Sequence, residues 1–272
     1  MGRTKAVGDR PEDLLELALA IAREAAELVR TRREVGVEVA ATKSSATDVV
    51  TEADRASETL ILTRILAARP GDAVLGEEGS DTVGTSGVRW IVDPIDGTVN
   101  YFLGLPQYAV SIGVEVDGVV QVGVVVNAAT GDEYSAVRGQ GATRNGRPIA
   151  VREPRPLDRS VVSTGFNYEL AVRERQAAAV AQLLVGVADI RRFGSCALDL
   201  CALASGQSDG YVEEGCMPWD DAAGGLIAQE AGAVVEVLVG ASGRRLIVAA
   251  PAPSYPGFLG LVGSCGFTVD GR

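Results

Sequence analysis

The sequence predicts a mixed α/β protein, α+β in its first half and α/β in its second. Three observations carry this. The chain opens on an amphipathic helix and later runs through closely spaced β-rich segments joined by tight turns. From residue 160 onward strands and helices alternate instead. Between these patterns, Pro148 to Pro156 reads as a seam, giving halves of residues 1–154 and 155–272 packed as one compact unit.

Pro11 to Arg33 predicts a helix: Leu14, Leu15, Ala18, Ile21, Ala22, Ala25 and Leu28 recur at helical spacing against Glu16, Arg23, Glu24 and Glu27. Val35 to Ala40 alternates like a strand. A polar loop, Thr42 to Asp48, leads to a second helix from about Thr51 to Ala68, which Pro70-Gly71 stops. Ala73 to Gly76 is a short buried strand ending in Glu77-Glu78, and a flexible loop follows from Gly79 to Gly87. Ile91-Val92 delivers Asp93 to a strand end, and Asp96-Gly97-Thr98 follows in a turn fit to open a helix. Tyr108–Val116 and Val119–Val126 are strands, with Asp117-Gly118 as a strong hairpin signal between them. Glu133 to Val137 and the Asn145-Gly146 turn extend an antiparallel meander. The second half reads as a strand at Ser160–Ser163, a helix at Glu169–Leu184 and a strand at Asp189–Arg191. A helix opens at Gly194-Ser195 and ends at Gly206. A strand at Gly210–Glu213, a helix at Trp219–Ala231 capped by Gly232, and strands at Val234–Val239 and Leu246–Ala249 complete the pattern.

Composition narrows the function. A chain of 272 residues can bury roughly 75% of its unfolded surface, so it needs no disulfide or structural metal to fold. Its longest apolar runs are too short for a membrane span, and its charged N-terminus lacks a signal-peptide core. A cytoplasmic location is expected. The net charge of −11, without a basic stripe, argues against nucleic acid. An acidic protein that handles a phosphate needs metal ions to reverse the local field. The absence of histidine removes Ser-His-Asp and Cys-His catalysis, phosphohistidine chemistry and His-containing zinc sites. The four cysteines, Cys196, Cys201, Cys216 and Cys265, show no C-x-x-C pair and are expected to be reduced and packed.

Four acidic clusters sit where an element starts or ends. Asp48 and Asp54 flank the start of the second helix, Glu77-Glu78 closes a strand, Asp93 and Asp96 follow another, and Asp220 stands at a helix N-terminus. Each alone has a bland explanation, as a helix cap, a dipole partner or a solvated pair. Together, in a chain without histidine, they favour a multinuclear site with all-oxygen ligands, which selects Mg²⁺ or Mn²⁺ over zinc. Pro94 fixes the backbone so that Asp93 and Asp96 can face one point with the Ile95 carbonyl between them. Trp90 and Trp219 precede these acids and are expected to rigidify the ligands by packing. Lys43, one of two lysines against 23 arginines, lies in the loop before Asp48.

These motifs resemble the inositol monophosphatase family of lithium-sensitive, Mg²⁺-dependent phosphatases, most closely its bacterial members. The matches are Lys43-Ser44-Ser45, Asp48 through Asp54, Gly76-Glu77-Glu78, Trp90 through Asn100, Gly194 through Leu200, and Trp219 through Gly224 with Glu230-Ala231-Gly232. Haloacid-dehalogenase phosphatases, with D-x-D-G-T and a downstream basic residue, fit poorly: Asp93 to Asp96 is one residue too long, and Lys5 and Lys43 lie upstream.

The resemblance implies a layered αβαβα sandwich of the sugar phosphatase type, metals at the junction of the halves, and a homodimer. It implies one Mg²⁺ on Glu77, Asp93 and the Ile95 carbonyl, a second on Asp93, Asp96 and Asp220, and a looser third mainly on Glu77, with Mn²⁺ as substitute. The Gly97 and Thr98 N–H groups would bind phosphate, with Asp96 beside them. Thr98, with Asp54 and Glu77, would orient and deprotonate a metal-bound water for in-line attack. Substrate hydroxyls would meet Glu213, Asp220 and the Ser195-Cys196 loop, which Arg191 would support. Cys196 stands where relatives often have Ala, and Tyr101 where Phe is frequent. The expected partner is a small phosphorylated polyol, myo-inositol 1-phosphate first and histidinol phosphate second, with no membrane. A regulatory protein that keeps the fold and acts by binding a larger complex is the alternative from another class.

Overall fold

A computed structural model describes residues 10–37, 39–42 and 49–269. Lys43, Ser44, Ser45 and Asp48 lie outside the described residues. Helix α1 (Pro11–Val35) buries Leu14, Ala18, Ile21, Ala22 and Ala25 of the predicted stripe, while Leu15 and Leu28 are only half-buried and Val29, outside that stripe, enters the core. It runs to Val35 and stops at Gly36, whose φ of 132° favours glycine. The strand expected from Val35 therefore starts late, as β1 (Val39–Thr42), paired antiparallel with β2 (Val49–Thr51). Thr51 then caps α2 (Glu52–Ala68), and its amide returns to the Asp54 carboxylate in a reciprocal capping box.

The next strands form one large sheet: β3 (Ala73–Gly76), β4 (Asp81–Thr82), β5 (Val88–Asp96), β6 (Ala109–Val116), β7 (Val119–Asn127), β8 (Glu133–Val137), β9 (Ala142–Arg144) and β10 (Arg147–Ile149). Their spatial order is β10-β9-β8-β7-β6-β5-β3-β4, and only β3 and β5 run parallel. A short helix, α3 (Thr98–Leu103), interrupts the run after β5. Asp117-Gly118 and Asn145-Gly146 turn with both residues at positive φ (50° and 83°, 51° and 71°), as two-residue hairpins demand.

Beyond residue 160 the chain builds a second sheet. It comprises β11 (Val161–Thr164), α4 (Leu170–Gly186), β12 (Asp189–Arg191), α5 (Cys196–Ala204), β13 (Gly210–Glu214), α6 (Pro218–Glu230), β14 (Ala233–Val239), β15 (Arg245–Pro251) and α7 (Tyr255–Ser264). The strand order is β12-β11-β13-β15-β14, with β11 parallel to both neighbours and the remaining pairs antiparallel.

Strand periodicity sorts side chains into three cores and five layers. Trp90, Val92, Ile112 and Val124 pack under α1 and α2. The opposite face of the large sheet (Ala109, Val125, Tyr134) meets α5 and α6, which rest in turn on Tyr211, Ile247 and Ala249 of the second sheet. The far face of that sheet, Val162, Val212 and Val248, is covered by α4 and α7. The order helix, sheet, helix, sheet, helix is the expected sandwich.

The sequence pattern does not predict helix α7. Its sequence, Tyr-Pro-Gly-Phe-Leu-Gly-Leu-Val-Gly-Ser, is rich in breakers, and Phe258 and Val262 hold it by packing. A paired gap fixes α6 closely. Gly113 and Gly123 are register partners, and a Cβ on either would lie 2.8 Å from the Ala222 Cβ or 2.6 Å from the Ala223 carbonyl oxygen. Among the described residues, no helix is long and apolar enough to cross a membrane. All four cysteines are buried free thiols.

Candidate active site

Residues three apart in a regular strand point to opposite faces. Asp93 and Asp96 escape this because β5 bulges. Asp93 pairs with Ser111 and Asp96 with Ala109, so β5 spends one residue more than β6. The extra residue returns both carboxylates to one side. Pro94 suits such a bulge, having no N–H to donate to the ladder. The Ile95 amide donates to Asp93 Oδ1 at 3.0 Å.

Further segments from both halves of the chain close on this bulge. A cavity of about 360 Å³ is lined by Glu77, Asp93, Ile95, Asp96, Gly97 and Thr98 from the first half. Ser195, Cys196, Glu213 and Asp220 line it from the second half, as do Trp219, Arg192 and Arg244. Asp96 Oδ2 accepts from the Ser195 hydroxyl at 2.6 Å and the Ala197 amide at 2.7 Å, at the N-terminus of α5. Asn100 donates to the carbonyls of Gln107 and Phe193, each at 2.8 Å, stitching the halves together. Gly97, at φ 93°, lies where a Cβ would come within 2.6 Å of the Gln107 carbonyl. The Thr98 hydroxyl lies 3.0 Å from the Ile95 carbonyl and 3.2 Å from Asp54 Oδ1. Asp220 accepts the Met217 amide at 2.7 Å, and the preceding carbonyl, that of Trp219, lies 3.4 Å from Ser111 Oγ. Ser111 is the β6 partner of Asp93, so the sheet register joins these two acids. Glu213 accepts the Tyr211 hydroxyl at 2.8 Å, and its carboxylate fills the space that a Cβ on Gly165 would take.

The electrostatics are those of carboxylates raised by burial and by one another. Burial raises Asp96 to about 7, against stabilising bonds from Ser195 and Ala197. Asp93 and Asp220 are pushed well up, by burial first and then by neighbouring acids, Glu77 and Asp96 among them. Asp54 rises to about 6 by burial, and Glu213 is raised by burial as well. Asp220 and Glu213 are half-buried and line the cavity. Among the described residues, no group of three or more acidic or thiol side chains already has the geometry of a closed ion site. The donor set nonetheless fits a hard divalent cation. Its ligands would all be oxygens, and buried carboxylates in mutual repulsion are what a cation relieves.

Arg191 does not line this cavity. Asp189 and Arg191 share one face of β12 at strand period two, and Arg191 is exposed in an ion pair with Asp189 at 2.5 Å. Its neighbour Arg192, just past the end of β12 and also exposed, lines the cavity wall instead. Trp90 is fully buried and donates to Asp72 at 2.9 Å, as a packing residue should. Trp219 differs from expectation: it lines the cavity and is available to a ligand. Tyr101 is buried edge-on to Tyr108, with ring centres 5.2 Å apart. Asn100 closes the Trp90–Asn100 motif but carried no assigned role, and Tyr211 had no motif to single it out.

A sequence model described as the inositol monophosphatase family matches residues 10–257. The chain is 43% identical over 264 residues to the Mycobacterium tuberculosis protein named inositol-1-monophosphatase SuhB, covering 90% of this chain and 91% of that one. It is 39% identical over 224 residues to the Pasteurella multocida protein named Nus factor SuhB, covering 82% and 84%. The solved structure of Mycobacterium tuberculosis SuhB superposes with a TM-score of 0.83 at 38% identity, covering 95% of this chain and 99% of that one.

Proposed function

The chain belongs to the inositol monophosphatase family, and from that premise we propose that it hydrolyses a phosphomonoester of a small polyol, myo-inositol 1-phosphate first. The observation that carries the proposal is the β5 bulge, which turns Asp93 and Asp96 into one buried cavity with Glu77 and Asp220. Four converging acids are costly to bury unless a cation offsets them.

Glu77, Asp93, the Ile95 carbonyl, Asp96 and Asp220 would hold two to three Mg²⁺ ions, with Mn²⁺ as substitute. When bound, they would neutralise phosphoryl charge and acidify the attacking water. Thr98, backed by Asp54, would orient that water and, with Glu77, take its proton. Gly97 and Thr98 would receive phosphate oxygens at the start of α3, beside the anchored Asp96. The water oxygen would bond to phosphorus as the ester P–O bond breaks in line, and the departing polyol oxygen would take up a proton from solvent, with no covalent enzyme intermediate. Glu213, Asp220, Ser195 and Cys196 would meet substrate hydroxyls. Arg192 replaces Arg191 in the proposed set, since it lines the cavity wall.

A panel of phosphomonoesters compared by kcat/KM tests the substrate. Preference for inositol 1-phosphate supports the proposal, and preference for histidinol phosphate, or for a bisphosphorylated sugar or nucleotide, moves it within the same chemistry. The relatives named Nus factor SuhB favour a second reading, a regulatory role through binding a larger complex. Absence of Mg²⁺-dependent phosphate release from every ester would favour that reading. The homodimer implied by the family stays part of the proposal, with light scattering as its test.

A further inference from the structure

Helix α2 turns a polar face toward the site. Asp54, Ser57 and Glu58 stand at i, i+3 and i+4, and all three are buried. Further along the same stripe, Ile61 and Ile65 enter the core as an amphipathic helix requires. The polar three each meet a separate piece of the site. Asp54 meets Thr98, and the Ser57 hydroxyl donates to the Pro94 carbonyl at 3.1 Å. Glu58 Oε2 accepts the Glu78 amide at 2.7 Å, while Oε1 accepts the Ser80 amide at 3.0 Å and the Ser80 hydroxyl at 2.7 Å.

The turn from Gly76 to Ser80 is built around that carboxylate. A Cβ on Gly76 would lie 2.5 Å from Glu58 Oε2, so the glycine and the carboxylate are matched in space. The Gly76 amide donates to the Ser80 carbonyl at 2.6 Å, and the Glu77 amide to the Val92 carbonyl at 3.2 Å. Glu77 is thereby held between the sheet on one side and Glu58 on the other. Both Glu58 oxygens act as acceptors. A glutamine keeps the volume but sets an NH₂ against at least one N–H donor.

We infer that Glu58 is a positioning residue that acts through Glu77, fixing the Gly76–Ser80 turn so that Glu77 presents its carboxylate to a divalent cation. The inference rests on the proposed role of Glu77 as a cation ligand. Partners that orient a ligand are worth about 10- to 100-fold in metal affinity.

The test is Mg²⁺ titration by calorimetry of the folded full chain, beside the Mg²⁺ dependence of phosphate release. Glu58→Gln should weaken Mg²⁺ binding by about 10- to 100-fold, with kcat recovered at high Mg²⁺ and KM for the ester nearly unchanged. Ser80→Ala, which removes one of the three donors, should shift Mg²⁺ affinity in the same direction by about two- to tenfold. Glu77→Gln should lose a cation that added Mg²⁺ does not restore. Glu58→Gln with lowered stability but unaltered Mg²⁺ affinity would overturn the inference. Should that variant fail to fold, unaltered Mg²⁺ affinity in Ser80→Ala overturns it. Unaltered Mg²⁺ affinity in Glu77→Gln would instead remove the reading on which the inference stands.

Discussion

The Ser195 hydroxyl donates to the Asp96 carboxylate at 2.6 Å across 99 positions of sequence, and the same oxygen accepts the Leu198 amide at 3.3 Å. One side chain thus caps α5 and orients an acid of the other half. Ser195→Ala should cost about 1 kcal/mol through the lost cap. It should also lower kcat/KM by about tenfold or more, because Asp96 loses an orienting partner. Denaturant unfolding and steady-state kinetics on the same preparation check both effects.

The paired glycines under α6 give a second expectation. Gly123→Ala drives a methyl into the Ala223 backbone and pushes α6, with Asp220 in its first turn, off the sheet. Overpacking of this kind costs about 1–3 kcal/mol. Activity should fall further than the residual folded fraction explains, as a comparison of kcat with the circular dichroism melt would reveal.

Arg191 and Arg192 should separate cleanly. Arg191 is exposed and paired with Asp189, so Arg191→Ala should stay within about 0.5 kcal/mol in stability and leave KM unchanged. Arg192 lines the cavity, so Arg192→Ala should raise KM for the phosphomonoester. Equal kinetics for the two variants would contradict this placement.

Stability should depend on pH with a definite sign when metal is chelated. Asp54 and Asp96 rise to about 6 and about 7 in the folded chain, above an ordinary 3.8. The folded state then holds protons that the unfolded state releases, so stability falls as pH rises through that window. In chelator, the melting temperature should be higher near about pH 5 than near about pH 8. Asp96→Asn should flatten the slope. Added Mg²⁺ at the higher pH should raise the melting temperature by mass action.

Much of this was legible in the chain because periodicity and turn chemistry act locally. The α1 stripe, the Asp117-Gly118 and Asn145-Gly146 turns and the alternation after residue 160 all encode their elements within a few residues. Helix α7 was hidden because its glycines and Pro256 argue for a loop, and its stability comes from Phe258 and Val262 packing on a distant sheet. The acids of the site announced themselves by type and spacing. What orders them did not, since Glu58 reads as an ordinary helix glutamate until the turn it grips lies beside it. The β5 bulge was half legible: Pro94 marked a backbone that lets Asp93 and Asp96 face one point, but the extra residue is a property of pairing with β6 rather than of β5 alone.

Asp93 gives the most direct test, because it faces Glu77, Asp96 and Asp220 at once. The measurement is Mg²⁺-dependent phosphate release by Asp93→Asn, with its metal-free melting temperature recorded alongside. The predicted result is a loss of at least about 10²-fold in kcat, with a melting temperature no lower than that of the parent chain, since one repelling carboxylate has gone. Turnover at the parent level, in a variant that is folded, would contradict the shared-cation site.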